Sequence, residues 1–166
     1  MKFVALAMAL FAGAANAAGF EAGLSLHDLW WDSAGDSSAV GASAQVALMW
    51  RRFDVGIEAG GGGIDYGVSF ARLRGDVFLN PEGPANLYAG LNAGWLNEFN
   101  DHGAPGNAWG GGGQVGVMFN REGIFKPAIE AGFSAPVITA RQGDFGRSPL
   151  TVWFVSLRLL IGVPLH

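Results

Sequence analysis

Apolar side chains alternate with glycine, polar or charged ones at a two-residue period along most of the chain. In eight segments, every second side chain is apolar, and the positions between carry glycine, polar or charged residues. Such alternation is typical of β-strands, because successive side chains point to opposite faces of a sheet. The eight predicted strands cover about residues 19–31, 39–50, 53–61, 67–79, 87–97, 109–120, 125–135 and 151–163.

The charged residues are distributed unequally between the two faces of these strands. Ionisable residues in the middle of the segments all fall on the polar face, and the other face is almost free of polar groups. A water-soluble sandwich would need many charges on its outer faces, but only 14% of this chain is charged. We therefore expect the polar face to line the inside of a barrel and the apolar face to lie outside. The inward ionisable residues are Glu21, His27, Asp54, Glu58, Arg72, Arg74, Asp76, Lys126, Glu130 and Arg158.

The composition excludes several other classes of protein. The chain has 166 residues, is 50% hydrophobic and has a formal net charge of −4, which argues against a disordered protein and against a nucleic-acid partner. It contains no cysteine, which excludes disulfide bonds and thiolate metal sites. We expect no cofactor and no metal.

The N-terminus has the pattern of a cleavable signal peptide. A basic start at Lys2 precedes the almost wholly apolar segment 3–15, and Ala15-Asn16-Ala17 provides small residues at a cleavage site. The alternative is a buried N-terminal helix, which we consider less favoured. The predicted organisation is a signal peptide over residues 1–17 and one barrel domain over residues 18–166.

The connections and the aromatic residues indicate how the barrel is arranged. Predicted turns at 51–52, 80–86 and 120–124 alternate with glycine- and polar-rich loops at 32–38, 62–66, 98–108 and 136–150. This favours an eight-stranded antiparallel up-and-down barrel with turns at one end and loops at the other. Aromatic residues concentrate at both ends, as expected for two girdles at the surfaces of a membrane. The predicted girdle residues are Trp30, Trp31, Trp50, Phe53, Trp95, Trp109, Phe119, Phe125 and Trp153.

A short repeat predicts a polar layer inside the barrel. Glu-Ala-Gly or Asn-Ala-Gly recurs on the odd-numbered strands, and the even-numbered strands carry arginine or glutamine. We expect Glu58 beside Arg72 or Arg74, and Arg158 between Glu130 and the first strand, which carries Glu21. Buried charges must be paired, so a structural plug is favoured over a catalytic cluster. The predicted lumen residues are Glu21, Gln45, Glu58, Arg72, Arg74, Asp76, Asn92, Gln114, Glu130 and Arg158.

These features together resemble the small eight-stranded outer-membrane barrels of Gram-negative bacteria, the OmpA/OmpX-type group. The resemblance implies an outer-membrane location, both termini in the periplasm, loops outside, and no wide channel. It also implies contact with outer-membrane lipid and with the barrel-insertion machinery. Three alternatives stay open for the loops, namely that they bind a protein, a lipid headgroup or no extracellular ligand. Members usually end on an aromatic residue, whereas this chain ends in Leu165-His166.

Three functions are compatible with such a barrel. The prediction is a non-enzymatic integral membrane protein with a structural or surface-contact role. The first alternative is a narrow pore, since glycine is abundant on the inward face. The second is a lipid-modifying enzyme, for which Ser25 and His27 are candidates about 7 Å apart on one strand face. His102 lies in a predicted loop without a neighbouring serine.

Overall fold

The computed structural model describes residues 19–32, 36–64, 66–100, 106–139 and 151–164. The predicted signal peptide, His102 and the C-terminal Leu165-His166 lie outside these residues. The eight strands are β1 (Gly19–Asp32), β2 (Asp36–Met49), β3 (Phe53–Gly63), β4 (Tyr66–Phe78), β5 (Ala85–Asn100), β6 (Gly106–Phe119), β7 (Phe125–Thr139) and β8 (Val152–Pro164).

The strands form a closed antiparallel barrel in chain order. Each strand pairs with its neighbours in sequence, and β1 pairs with β8 to close the sheet. The predicted eight-stranded up-and-down barrel is confirmed. Within the described residues, no helix has the length and apolar character needed to cross a bilayer.

The strand register determines the tilt of the barrel. Successive cross-strand partners lead from Met118 on β6 through all eight strands and return to β6 at Ala108, a displacement of ten residues. Eight strands about 4.8 Å apart, with a rise of about 3.3 Å per residue, then tilt by about 40° from the barrel axis. This tilt lies within the range of membrane barrels.

The alternation in the sequence corresponds to the two faces of the wall. Outward apolar side chains are exposed, as at Leu24 (68%) and Leu91 (74%). Inward side chains are buried, and glycine gives large neighbours room. A Cβ atom at Gly116 would lie 2.5 Å from the Tyr88 hydroxyl, and one at Gly132 would lie 2.7 Å from Cζ of Phe154.

The strands extend further than the apolar pattern predicts. The connections at the loop end are residues 33–35, 64–65 and 101–105, and only the connection over 140–151 is long. The predicted alternation of short turns with long loops is therefore wrong. Backbone pairing continues through polar and glycine-rich residues such as Ser38, Gly62 and Asn97, because the ladder needs no apolar side chain.

Candidate functional site: the barrel lumen

All ten predicted lumen residues point into the barrel. Each is at most 5% exposed to solvent. These ten side chains therefore line the interior of the barrel.

The centre of the lumen contains an acidic residue held by two arginines. Arg72 donates through Nε and Nη2 to Oε2 of Glu58, at 3.1 and 3.0 Å. Arg74 donates from Nη1 to the same oxygen at 3.0 Å. Glu58 thus contacts both arginines that the sequence proposed as alternatives.

Arg74 is the hub of this charge network. Its guanidinium also contacts the carboxylates of Glu130 and of Asp76, the latter at 2.9 Å. Arg158 donates from Nη1 to Oε2 of Glu130 at 2.8 Å. Three acidic and three basic side chains therefore pair in a buried cluster with no net charge, as burial requires.

Uncharged polar groups extend the network on one side. The Tyr88 hydroxyl donates to Glu130 at 2.7 Å, and Arg158 donates from Nη2 to Oε1 of Gln45 at 2.6 Å. These contacts join β2, β5, β7 and β8. The Tyr88 ring also packs beside Phe78, at 5.2 Å between ring centroids.

A second branch reaches towards the loop end. Gln114 donates to Asp76 at 2.8 Å, and Asn92 donates to Gln114 at 2.8 Å. Ser134 donates to Oδ1 of Asn92 at 2.6 Å. With His27 on β1, every strand of the barrel contributes at least one member to a single connected network.

His27 lies in a directed chain of hydrogen bonds that the sequence did not predict. Ser43 donates to Oε1 of Glu58 at 2.6 Å, so its oxygen accepts from Nε2 of His27 at 2.7 Å. Nδ1 of His27 lies 2.6 Å from the Ser156 hydroxyl and accepts its hydrogen bond when the imidazole is neutral. The direction of the bonds from His27 to Ser43 and from Ser43 to Glu58 follows because an ionised carboxylate can only accept.

The serine partners of His27 differ from the one proposed from the sequence. Ser25 does not bond to His27, and its hydroxyl has no hydrogen-bond partner within the described part of the chain. The partners instead come from the adjacent strands β2 and β8. Only the strand register brings these three residues together, and alternation within one strand carries no register information.

The loop end of the lumen is filled by apolar side chains. Seven buried residues pack together there, with exposures of 5% or less. Two of them also contact the charge network, since the Arg72 guanidinium lies over the rings of Phe154 and Phe70, at 4.3 and 4.8 Å. We call this group the apolar plug; it consists of Leu29, Trp31, Val68, Phe70, Leu96, Val152 and Phe154.

Trp31 is a correction to the predicted girdle. It is 3% exposed and belongs to the apolar plug, whereas Trp30 is 39% exposed on the outer face. Adjacent residues of a strand point to opposite faces, so both tryptophans cannot face outward.

The other eight predicted girdle residues are exposed or partly exposed. Trp50 stacks on Phe53 at the turn end, with 4.6 Å between centroids. Trp109 is 63% exposed and Trp153 is 54% exposed at the loop end. These positions fit two aromatic levels on the outer wall; the remaining members are Trp30, Trp95, Phe119 and Phe125.

Arg121 covers the turn end of the lumen. The sequence predicted only a turn at this position and no contact with the lumen. From the β6–β7 connection it donates to the carbonyl oxygens of Arg51 and Trp50, at 3.1 and 2.7 Å. It also donates to Asp54 at 2.6 Å and lies 4.0 Å from the centroid of the Phe78 ring. The turn thereby reaches across the mouth of the barrel to the β2–β3 turn.

Glu21 has a different partner from the one expected. Lys126 lies 3.4 Å from Oε2 of Glu21. The β1–β8 register places Ser25 opposite Arg158, and places Gly162 opposite Glu21. Arg158 lies between Glu130 and the first strand, where it faces Ser25, while Glu21 belongs to a separate charged layer at the turn end.

No group of three potential metal ligands occurs in the described ranges. A cleft of about 370 Å³ opens below Arg121, beside the exposed ion pair of Arg51 and Glu82. The lumen above it is occupied by paired charges and by the apolar plug.

Comparisons with known proteins relate the chain to others by structure alone. No protein-family model matches the chain, and no curated protein matches it. The crystal structure of Neisserial surface protein A matches 86% of this chain and 96% of its own length, with a TM-score of 0.73 at 9% identity.

Two further solved structures also match the chain over most of its length. AlkL, solved by solid-state NMR in lipid bilayers, matches 91% of this chain and 92% of its own, with a TM-score of 0.56 at 12% identity. The outer membrane protein OprG of Pseudomonas aeruginosa matches 89% and 97%, with a TM-score of 0.53 at 11% identity. The chain thus has the fold of the small eight-stranded outer-membrane barrels.

Proposed function

We propose that this chain is an integral outer-membrane β-barrel whose lumen is a packed core and whose function is exerted by its wall and its surface loops. The observation that carries this proposal is the spacing of aromatic residues on β6. Trp109 and Phe119 both face outward and are ten residues apart. At a tilt of about 40° they are separated by about 25 Å along the axis, which is the height of the apolar band of such barrels.

The proposed orientation follows from the connections. The β2–β3, β4–β5 and β6–β7 turns lie at the same end as the start of β1 and the end of β8, and the longest connection, over 140–151, lies at the other end. In this class of barrel the longer loops lie outside and the opposite end faces the periplasm. The opposite end, with the connection over 140–151, faces the exterior of the cell. There the loops are available to an extracellular ligand, and lipid and the barrel-insertion machinery are the remaining expected partners.

The filled lumen supports a structural role over the narrow pore. A water path would have to pass the apolar plug, the central charge network and Arg121. Ion pairs that are fully buried and neutralised leave few mobile polar groups to conduct an ion. A structural role is therefore favoured over a narrow pore.

Burial also argues against the enzymatic alternative. Ser156 and His27 have the contact of a nucleophile and a base, but they are 1% and 2% exposed. The rings of Phe70 and Phe154 pack edge-on against His27, at 5.7 and 6.2 Å. A lipid substrate in the membrane would meet the outside of the wall, so we propose a non-enzymatic role.

The membrane location can be tested by one substitution at two positions. Ile57 is outward at mid-strand and 56% exposed, whereas Ile64 is 92% exposed beyond the end of β3. We expect Ile57→Arg to destabilise the barrel in phosphatidylcholine vesicles by about 2–4 kcal/mol, and Ile64→Arg by less than about 1 kcal/mol. The readout is urea-induced unfolding followed by tryptophan fluorescence. Equal effects at both sites would contradict a lipid-facing wall.

A further inference from the structure

Met49 lies in surroundings unlike those of Met118, the other methionine that the structure describes. Met118 is 1% exposed and belongs to an apolar cluster with Phe78 and Leu160. Met49 is partly exposed at the inner rim of the turn end, and its cross-strand partner on β3 is Asp54. Methionine usually fills gaps in apolar cores, so a thioether beside a charged layer is unusual.

The sulfur of Met49 contacts the ammonium group of Lys126. Nζ of Lys126 lies 2.7 Å from Sδ of Met49 and 3.4 Å from Oε2 of Glu21. Gly162 leaves room for this arrangement, since a Cβ atom at that position would clash with Nζ. The thioether sulfur is a weak acceptor, so the ammonium engages one of its two lone pairs. The second lone pair is the one left for a reaction.

Met49 and Lys126 both line the cleft of about 370 Å³ at the turn end. The cleft is also lined by Arg51 and Glu82, whose side chains are 77% and 62% exposed, so it opens to solvent. A water-sized molecule needs only about 10–15 Å³ of such space, and hydrogen peroxide is little larger. A small oxidant can therefore reach the side chain of Met49.

We propose that Met49 is a site of oxidation by hydroperoxides and that Lys126 directs the oxygen to one lone pair of its sulfur. That lone pair attacks the nearer oxygen of hydrogen peroxide, and the O–O bond breaks. The sulfur loses two electrons and the peroxide gains them. The leaving hydroxide takes the proton of the transferred hydroxyl, so the products are methionine sulfoxide and water.

The surroundings of Met49 also predict that the folded barrel tolerates this modification. Oxidation turns an apolar side chain into a polar one, which disrupts an apolar core. At Met49 the new oxygen lies in an open cleft among charged residues, whereas at Met118 it would enter an apolar cluster. We therefore expect the barrel to stay folded when Met49 alone is oxidised.

The test treats the folded full chain in detergent with hydrogen peroxide and follows each methionine by peptide mass spectrometry. We expect Met49 to be oxidised about tenfold faster than Met118, because reactivity follows exposure. The sulfoxide sulfur is chiral, and one reductase acts on each epimer. Treating the unfolded product with each of these two reductases should show one Met49 epimer in excess, because Lys126 blocks one lone pair.

The role of Lys126 is tested by the double variant of Lys126→Leu with Glu21→Gln. It removes the ammonium without leaving its carboxylate partner charged and unpaired. Met49 should still be oxidised in this variant, but the two epimers should form in similar amounts. Glu21→Gln alone is the matched control, since it keeps the ammonium and should keep the excess of one epimer. Lys126→Gln with Glu21→Gln replaces the double variant if the latter does not fold.

Three outcomes would overturn the inference. Equal oxidation rates at Met49 and Met118 would remove the proposed site. Equal amounts of both epimers in the wild type, or an unchanged excess without the ammonium, would remove the directing role of Lys126. Loss of the heat-dependent gel mobility of the closed barrel after oxidation of Met49 would contradict its tolerance. These assays need no membrane, so their failure is distinct from failure of the proposed function.

Discussion

The middle and the loop end of the lumen are filled in different ways. The middle is held by directional pairs, in which Arg74 contacts three carboxylates on three strands. The loop end is held by the apolar plug, whose members need only fill a volume. The charged region therefore depends on register, since a slip between two strands would break its pairs, while the plug depends on the size of its side chains.

The largest effect should come from removing the hub of the charged region. Arg74→Leu leaves Asp76, Glu130 and Glu58 with too few cations, so we expect a loss of about 3–5 kcal/mol in unfolding free energy. Urea unfolding in vesicles measures this loss. The matched control is Arg51→Leu, at a side chain that is 77% exposed in its ion pair with Glu82. It should cost less than about 1 kcal/mol. Similar losses in the two variants would show that burial of the network contributes nothing.

The apolar region can be probed by a pair of tryptophans. Trp31→Ala should cost about 3 kcal/mol, because it leaves a cavity in the plug. Trp109→Ala, at a 63% exposed position on the outer wall, should cost about 1 kcal/mol. Unfolding under the same conditions gives both values. If Trp109 proved the more costly site, the inward position of Trp31 would be wrong.

Trp30 and Trp31 show what the sequence could and could not predict. Alternation assigns each residue to a face, and it placed Glu58, Arg72 and Arg74 correctly inside. The same rule applied to Trp30 and Trp31 places only one outside, but clustering at a strand end suggested a girdle for both. The two-residue alternation alone would have assigned both tryptophans to the correct faces.

The alternation within single strands could not predict which side chains contact one another across strands. Ser43 and Ser156 meet His27 only through the register of three strands, and Lys126 meets Glu21 for the same reason. Arg121 was missed because it belongs to a turn, where no periodicity indicates the direction of a side chain. An arginine that is 6% exposed in a turn is found only from the structure.

A smaller effect is expected at the closure of the turn end. Arg121→Gln removes the charged contact to Asp54 and weakens those to two backbone carbonyls, so we expect a loss of about 2 kcal/mol. The adjacent Glu122 is exposed, and Glu122→Gln should leave stability within about 0.5 kcal/mol. Thermal gel-shift assays in detergent rank the two variants. Indistinguishable midpoints would mean that Arg121 does not tie the turns together.

The smallest effect should distinguish two buried serines. Ser156→Ala leaves Nδ1 of His27 without its hydrogen-bond partner and should cost about 1 kcal/mol. Ser25→Ala removes a hydroxyl that has no partner in the described residues and should be nearly neutral. A fluorophosphonate probe on the folded wild type should label neither serine. Labelling that disappears in Ser156→Ala would instead support the enzymatic alternative.

Single-channel conductance in planar bilayers tests the filled lumen most directly. The wild-type barrel should show no reproducible current steps above the lipid background. The double variant of Arg74→Ala with Phe154→Ala, which removes the hub and part of the apolar plug, should show small steps if it still folds. Reproducible steps in the wild type that change in size with Phe154→Ala alone would contradict a filled lumen, because ions would then already pass through it.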